Sequence, residues 1–296
     1  MTTSIDAHTR QFSHINGSTA DLLERFAVSE LCRGWPVYRD SSEWKNYRNL
    51  FTKEATVWTT WSKGRTIDDF ISISKKGKDK GDFIMHRECG TLVDYAAEHR
   101  RAIGKMKATI TQRFKTQAAQ ATPECPVGAE YDVDCDCRFI FFCFKDPDAG
   151  GDWKAKYVKL FYEKDKIVPV DGNRAPVFSK ELLESFPEGY QHLAAAQSSL
   201  GYPVTRDLPT AQNHESWFQM YGKMEQWLAG EDVNLWCDDE RAPRAKKVHQ
   251  TKFGSVKQGC QSFGSPDEEC RFVKWMEQAT LISGASAHRE CIAQQG

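Results

Sequence analysis

YDVDCDCRFIFFCFK (131–145), DPDAGGD (146–152) and WKAKYVKLFYEKDKIVPVDG (153–172) follow one another along the chain, and this stretch decides the fold. The middle piece is a glycine-rich turn, and the pieces on either side of it have the aromatic and β-branched content of strands. The stretch therefore predicts two long antiparallel strands joined by a tight turn.

Further strands precede this pair. The segments CGTLVDYAAEH (89–99) and AIGKMKATITQRFK (102–115) are separated by the polar sequence EHRR, which favours a hairpin turn. The segment ATVWTTW (55–61) is rich in β-branched and aromatic residues and predicts a shorter strand. The chain is therefore expected to form a sheet of mostly consecutive antiparallel strands.

Helices are predicted ahead of the sheet. The first begins near Ser18 or Thr19, and shorter helices fit residues 41–51 and 67–77. The apolar residues that repeat at helical spacing in the first helix are Leu22, Leu23, Phe26, Ala27 and Leu31. Helices followed by consecutive strands are typical of an α+β domain, in which a curved sheet wraps around its own helices.

The chain divides into a flexible leader at 1–17, this cone-shaped domain at 18–178 and a helical C-terminal extension at 179–296. Helices of the extension are predicted at 180–201, 214–231 and 265–283. Its large apolar side chains must be buried against the cone, a second subunit or both, because leaving them in water would be costly. They include Leu182, Leu183, Phe186, Tyr190, Leu193, Trp217, Phe218, Met220, Tyr221, Met224, Trp227 and Leu228.

Composition excludes several classes of function. The 296 residues carry a net charge of −1, which gives no one-sided basic field for nucleic acid or an anionic membrane. No apolar run is long enough to span a bilayer, and the polar N-terminus has no signal core. The protein is therefore expected in the cytoplasm, without nucleic-acid or membrane partners.

The ten cysteines and the glycine pattern argue against a bound cofactor. No C-x-x-C pair is present, and no Cys/His spacing matches a zinc module, so the thiols are expected to be reduced and largely buried. No glycine-rich nucleotide fingerprint is present either. The sequence thus predicts a protein without a metal or organic cofactor.

Several short motifs between Leu22 and Gly172 occur together in a characteristic order. They are Tyr38-Arg39-Asp40, Trp44, Leu50-Phe51, Trp58, Gly64, Phe70, Met85-His86 and the strand FYEKDKIVPVDG, followed by the tail FPEGYQHLAAAQSSLGYPVTRDLPT (186–210). In this order and spacing the chain resembles the SnoaL-like branch of the NTF2-like superfamily, and within it the fungal scytalone-dehydratase-like proteins.

The resemblance implies a cone that encloses one deep apolar pocket for a small, flat, hydrophobic molecule. Members of the family include dehydratases, polyketide cyclases, isomerases and non-catalytic binding proteins. Their subunits often pair and their C-terminal segment often closes the pocket, so a homo-oligomer is expected here.

The resemblance also indicates three catalytic candidates. A histidine such as His86 can take and return a proton near neutral pH. Asp40, four residues before Trp44, would orient that histidine, and Tyr38 would donate a hydrogen bond to a substrate carbonyl. The alternatives are a structural histidine, a turn aspartate and a core tyrosine. The two family positions predict that His86 and Asp40 lie within hydrogen-bonding reach.

The sequence departs from the dehydratase pattern at two places. Trp58 stands where a second tyrosine is expected, and Thr109 or Thr111 stands where a second histidine is expected. Scytalone itself is therefore not expected to be the substrate. Trp58 and Thr111 remain candidates for substrate binding, together with Tyr157 and Phe141 on the long strands.

The carboxylates Asp132, Asp134 and Asp136 alternate along one strand and so lie on one face. A solvated sheet face explains them more simply than a metal site. Three functions remain open on these residues. The first is a cofactor-independent dehydratase, cyclase or isomerase for a small aromatic or polyketide-type metabolite, the second is a non-catalytic ligand-binding or scaffolding protein, and the third is a metal-assisted enzyme.

Overall fold

The computed structural model describes residues 15–235. The predicted helix at 265–283 and most of the predicted leader lie outside the described residues. The helices are α1 (Thr19–Asp40), α2 (Trp44–Asn49), α3 (Ile67–Asp79), α4 (Lys180–Glu184), α5 (Gln191–Ser199) and α6 (His214–Leu228). The strands are β1 (Phe51–Trp58), β2 (Arg65–Thr66), β3 (Ile84–Ala96), β4 (Arg101–Lys115), β5 (Glu130–Asp146) and β6 (Asp152–Pro169).

The strands form one curved, open sheet in the order β2-β1-β6-β5-β4-β3. All neighbouring pairs are antiparallel except β1 and β6, which run parallel. Helix α1 packs on the inner face of this sheet. The predicted α+β domain, in which a curved sheet wraps around its own helices, is therefore confirmed, and β2 is a short strand that the sequence pattern did not predict.

The turn between β5 and β6 depends on two glycines. Gly150 and Gly151 have φ values of 70° and 90°, in the left-handed region that side chains with a Cβ rarely adopt. Asp146 stabilises the same turn, because its carboxylate accepts a hydrogen bond from the backbone N–H of Asp148 at 3.0 Å. This hairpin carries the two longest strands of the sheet, as residues 131–172 predict.

Helix α1 buries a different face from the one its apolar pattern predicts, and of the predicted large side chains only Leu31 is buried. Leu22, Leu23 and Phe26 are exposed, and the buried stripe starts further along the helix. Its members are Val28, Leu31, Cys32, Trp35 and Arg39. The helix lies very close to the sheet here, because a Cβ placed on Gly104 would be 2.3 Å from the Cys32 sulfur. Only a glycine at this position admits the helix.

The described part of the extension, residues 179–235, packs on the cone. Helix α6 covers the sheet face opposite α1, where the Trp227 indole N–H donates to the Cys143 carbonyl at 3.1 Å. Helix α5 is attached to β6, because the Asp165 carboxylate accepts a hydrogen bond from the Leu193 backbone N–H at 2.7 Å. Most of the large apolar side chains of the extension that were predicted to be buried are buried in this way.

Within residues 15–235, no helix combines the length and apolar character needed to cross a bilayer. The cysteines of this part of the chain are unpaired, and all are buried except Cys89, which is exposed. Cys237, Cys260, Cys270 and Cys291 lie outside the described residues. The reduced state of all ten thiols stays a prediction.

Candidate functional site

Asp40 and His86 meet where α1 ends and β3 begins. One Asp40 carboxylate oxygen accepts the backbone N–H of His86 at 2.6 Å, and the other lies 2.7 Å from His86 Nδ1. A carboxylate can only accept hydrogen bonds, so in the neutral imidazole the proton sits on Nδ1 and the lone pair on Nε2. Asp40 therefore fixes both the orientation and the tautomer of the ring.

The His86 side chain is buried, with 4% of its surface exposed. Burial lowers the pKa of His86 below its ordinary value, the hydrogen bond that Nδ1–H donates to Asp40 partly opposes this, and the positive charge of Arg39 lowers the pKa further. Among residues 15–235 no group is bonded to Nε2, and the ring lines a cavity. At neutral pH His86 is thus an uncharged base with an available nitrogen.

The cavity beside His86 lies between α1, the inner face of the sheet and α5. Its volume is about 30 Å³, and an adjacent cavity of about 30 Å³ shares part of its wall. The shared side chains are Arg39, Trp61, Ile84, Gln112 and Gln197. The first cavity is further lined by Trp35, Thr59, Thr60, Phe70, Ile110, Phe139, Leu160, Tyr162 and Leu193. Such a space holds only a few water molecules, so an aromatic ligand requires the walls to move.

The extension closes this cavity. Gln197 of α5 accepts a hydrogen bond from the Thr60 hydroxyl at 2.7 Å and donates one to the Gln112 side chain at 3.0 Å. Beyond α5, the Tyr202 hydroxyl donates to Asp82 at 3.0 Å. Burial, together with Asp82, raises the pKa of Tyr202 to about 12, so this hydroxyl keeps its proton. Movement of α5 and the segment after it would enlarge the cavity.

Arg39 is a pocket residue that the sequence reasoning missed as a functional group. Only 4% of the residue is exposed, and its Nε and Nη1 atoms have no hydrogen-bond partner in the described part of the chain. Its guanidinium lies 5.5 Å from the centre of the Phe70 ring. One sequence signal was present, because Arg39 continues the helical spacing of Cys32 and Trp35 and so belongs to the inward stripe of α1.

Thr111 lies on the opposite face of the sheet from the cavity. Its hydroxyl donates to Asp134 at 2.5 Å, and Thr109 likewise donates to Asp136 at 2.6 Å. Because side chains alternate along a strand, it is Ile110 and Gln112 that face the interior. The assignment of Thr111 to the pocket is therefore corrected by one position, to Gln112.

Trp58 and Tyr157 also lie outside the cavity. Their rings pack together with a centroid distance of 5.9 Å, on the sheet face that α6 covers. Tyr157 further contacts Trp227 of α6 at 6.1 Å. The predicted substrate-binding role of this pair does not match this placement, because the cavity is lined by Leu160 and Tyr162 of β6 and by Thr59 and Thr60 after β1.

Phe141 and Tyr38 lie close to the site without lining it. Phe141 is on the inner face, where it packs against Trp35 at 6.0 Å and behind Phe139, which does line the cavity. Tyr38 is half-buried beside Gly34. One residue corresponds to about 100° around a helix, so Tyr38 points away from the direction taken by Arg39.

The alternating aspartates are partly exposed on the outer face of the sheet, and basic side chains of β3 and β4 balance their negative charge. Arg113 donates to Asp132 at 2.8 Å, and Arg87 lies 3.3 Å from Asp134. No three His, Cys, Asp or Glu side chains converge on a common point anywhere between residues 15 and 235. The arrangement matches the predicted charged and solvated sheet face.

Asp40→Asn should lower the plateau of turnover about 10²- to 10⁴-fold, because an amide allows the wrong histidine tautomer. A histidine that acts as a base must be uncharged, so the activity that this prediction assigns to His86 should fall as the pH drops through the His86 pKa. The Asp40 hydrogen bond raises that pKa, and its loss should move the acidic limb of the rate profile to lower pH. A pH–rate profile of both proteins checks this.

Asp94→Asn, which alters an ion pair with Lys105 on the solvated face, serves as the control. An unchanged plateau in Asp40→Asn would contradict the role.

Comparison with known proteins agrees with this architecture. Residues 20–159 match the SnoaL-like domain family. A PEP2-like protein from Fusarium vanettenii is 43% identical over 227 residues, which cover 74% of this chain and 92% of the relative. The same fungus has the pea pathogenicity protein 2, which is 40% identical over the same shares of both chains.

A solved structure from Novosphingobium aromaticivorans, provisionally designated a scytalone dehydratase, is 16% identical and covers 54% of this chain and 97% of its own, with a TM-score of 0.39. The family model and the fungal relatives confirm the resemblance drawn from the sequence. This chain belongs to the SnoaL-like branch of the NTF2-like superfamily, together with its PEP2-like fungal relatives.

Proposed function

We propose that the protein is a cofactor-independent dehydratase, cyclase or isomerase that moves a proton on a small aromatic or polyketide-type metabolite. The observation that carries this proposal is the pair of hydrogen bonds from His86 to Asp40, at 2.6 and 2.7 Å. They hold a neutral imidazole that lines the cavity and whose Nε2 has no hydrogen-bond partner among residues 15–235. That arrangement suits general base and acid catalysis without a cofactor.

His86 would remove a proton from a carbon next to a carbonyl group. The electron pair of the C–H bond would form a C=C bond, and the π electron pair of the carbonyl group would move to its oxygen. Tyr162 is the residue best suited to stabilise the resulting oxyanion. Its hydroxyl accepts the Thr60 backbone N–H at 3.2 Å, which leaves its own proton to donate. Burial raises the pKa of Tyr162 well above its ordinary value, so the proton is retained.

The protonated His86 would then complete one of three reactions. Return of the proton to a departing hydroxyl group gives dehydration, and return to a different carbon gives isomerisation. Attack of the enolate carbon on a second carbonyl group gives ring closure, and the proton then goes from His86 to the alkoxide oxygen that this attack forms. In all three reactions His86 takes one proton from the substrate and gives one proton back. The stacked pair Trp61 and Phe70, 4.7 Å apart and inclined by 13°, supports a flat substrate in this position.

A non-catalytic ligand-binding or scaffolding role is the second candidate. The small volume of the cavity favours it, because α5 fills much of the space that a substrate would need. A protein of this kind would bind a ligand or partner without changing it. The two candidates differ in whether a proton leaves the bound molecule.

Deuterium incorporation tests the proposal without knowledge of the native substrate. The protein is incubated in D₂O with a panel of aryl ketones and aryl 1,3-diketones, and incorporation is followed by NMR and mass spectrometry. Wild-type protein should accelerate exchange at the carbon next to the carbonyl, and His86→Gln should not. Ligands that bind with no exchange above the His86→Gln background would favour the binding role.

A further inference from the structure

Arg39 carries hydrogen-bonding capacity that the described chain leaves unused. The residue is 4% exposed, and its Nε and Nη1 atoms are buried without an acceptor. A guanidinium cannot lose its charge to escape burial, although burial lowers its pKa. An unpaired buried donor is costly, and such a group is retained where something outside the chain supplies the acceptor.

Asp40 does not supply that acceptor. The shortest distance between the carboxylate and Arg39 is 3.9 Å, too long for a hydrogen bond. Both Asp40 oxygens are instead occupied by His86, at 2.6 and 2.7 Å. The nearby Asp40 carboxylate therefore reduces the free-energy cost of burying the Arg39 charge. The N–H groups on Nε and Nη1 of Arg39 remain available to bond another group.

The other charged groups at this place leave room for an anion. Lys78 donates to the backbone carbonyls of Arg39 and Asp40 at the end of α1, which adds a second positive charge. Asp82 lines the adjacent cavity together with Lys78, and there it accepts the Tyr202 hydroxyl. Lys78 and Asp82 thus offset each other in the adjacent cavity, while Arg39 is the charged side chain that lines the His86 cavity within residues 15–235.

We propose that Arg39 binds a carboxylate group of the substrate, so that the ligand class is an aryl or otherwise flat carboxylic acid. This rests on the proposed function of the same site. A planar guanidinium matches a carboxylate in a two-point contact, and the contact is strong where water is excluded. Phe70, below Arg39 and stacked on Trp61, provides the flat apolar surface next to it. Arg39 and His86 line the same cavity, so the contact would orient the reacting carbon.

Benzoate and benzamide provide a matched pair of probes, because they differ in charge and hardly in shape. Binding to the full chain is measured by calorimetry and by tryptophan fluorescence at constant ionic strength. Wild-type protein should bind benzoate at least about 10-fold more tightly than benzamide, the effect of one charge-assisted contact. His86→Gln should keep this preference, and Arg39→Met should lose it. Equal binding of both probes to the wild type, or a preference that survives in Arg39→Met, would overturn the assignment.

Thermal unfolding without ligand separates a binding role from a structural one. If Arg39 is retained for a ligand, Arg39→Met should unfold at the wild-type temperature or above, because a poorly paired buried cation is replaced by an apolar side chain. A large loss of stability would instead make Arg39 part of the core and contradict the proposal. Arg39→Lys keeps the charge without the planar fork, and it should show a benzoate preference between those of the other two proteins.

The two proposals fail separately in these experiments. Deuterium exchange that depends on His86, without a benzoate preference, would remove only the carboxylate assignment. A benzoate preference that depends on Arg39, without exchange on any ketone, would remove only the catalytic one.

Discussion

Replacing His86 with glutamine should reduce turnover of the native substrate about 10²- to 10⁴-fold, the usual contribution of a positioned acid–base group. Glutamine has a similar size but no nitrogen that can accept a proton near neutral pH. The backbone N–H of residue 86 can still donate to Asp40, so the end of α1 stays attached to β3. The free energy of unfolding should fall by about 1.5–3 kcal/mol for the lost side-chain bond to a carboxylate.

His192 offers a matched control within the same chain. Its Nδ1 lies 2.8 Å from Asp165, much as that of His86 lies beside Asp40, but His192 does not line the cavity. His192→Gln should therefore cost a similar carboxylate bond while leaving turnover close to that of the wild type. Steady-state kinetics and chemical denaturation of both variants measure the two effects. A loss of turnover that is equal in the two variants would show that the effect comes from stability and not from proton transfer.

The order of the elements could be predicted from the sequence because it depends on local signals. The turn at Gly150 and Gly151 and the polar segment before Arg101 mark where long strands reverse direction. The pairing of His86 with Asp40 required more, because the two residues are 46 positions apart in the sequence. It came from the family resemblance, and the roles assigned to both residues stay predictions until activity is measured.

Strand parity explains why the predicted substrate contacts missed the cavity. A one-residue error exchanges the two faces of a strand, which is the difference between Thr111 and Gln112. On β6 the register against β5 shifts twice, so the alternation counted from either end of the strand is offset by one residue between the two shifts, where Tyr157 lies. Residues such as Tyr157 therefore cannot be assigned to a face from spacing alone.

The individual contacts that helix α5 makes with distant segments could not be predicted. Gln197 closes the cavity through Thr60, 137 residues earlier in the chain, and through Gln112. A glutamine in the polar part of a helix gives no local sign of such a role. Arg39 is different, because its helical spacing places it on the buried stripe although its charge argues for exposure.

Trp227→Ala should produce the largest loss of stability among these changes, about 3–5 kcal/mol, as expected for removal of a fully buried tryptophan. The side chain is 1% exposed, and its indole N–H bonds to the Cys143 carbonyl at 3.1 Å. Its ring meets Phe142 edge-on at 6.0 Å, and the Arg101 guanidinium stacks 4.1 Å from its centre. The substitution would leave a cavity between α6 and the sheet and a carbonyl without its donor.

The midpoint of thermal unfolding should fall by roughly 10 °C for a loss of this size in a domain of this length. Gln219→Ala changes an exposed position of the same helix and should leave the midpoint near that of the wild type. Because α6 covers the sheet face opposite the His86 cavity, the loss should weaken the whole cone together and not the extension alone. Separate unfolding of α6, with the rest of the domain keeping its wild-type midpoint, would mean that the extension is an independent module. A single unfolding transition at a lower temperature would show that the cone and the extension fold as a unit.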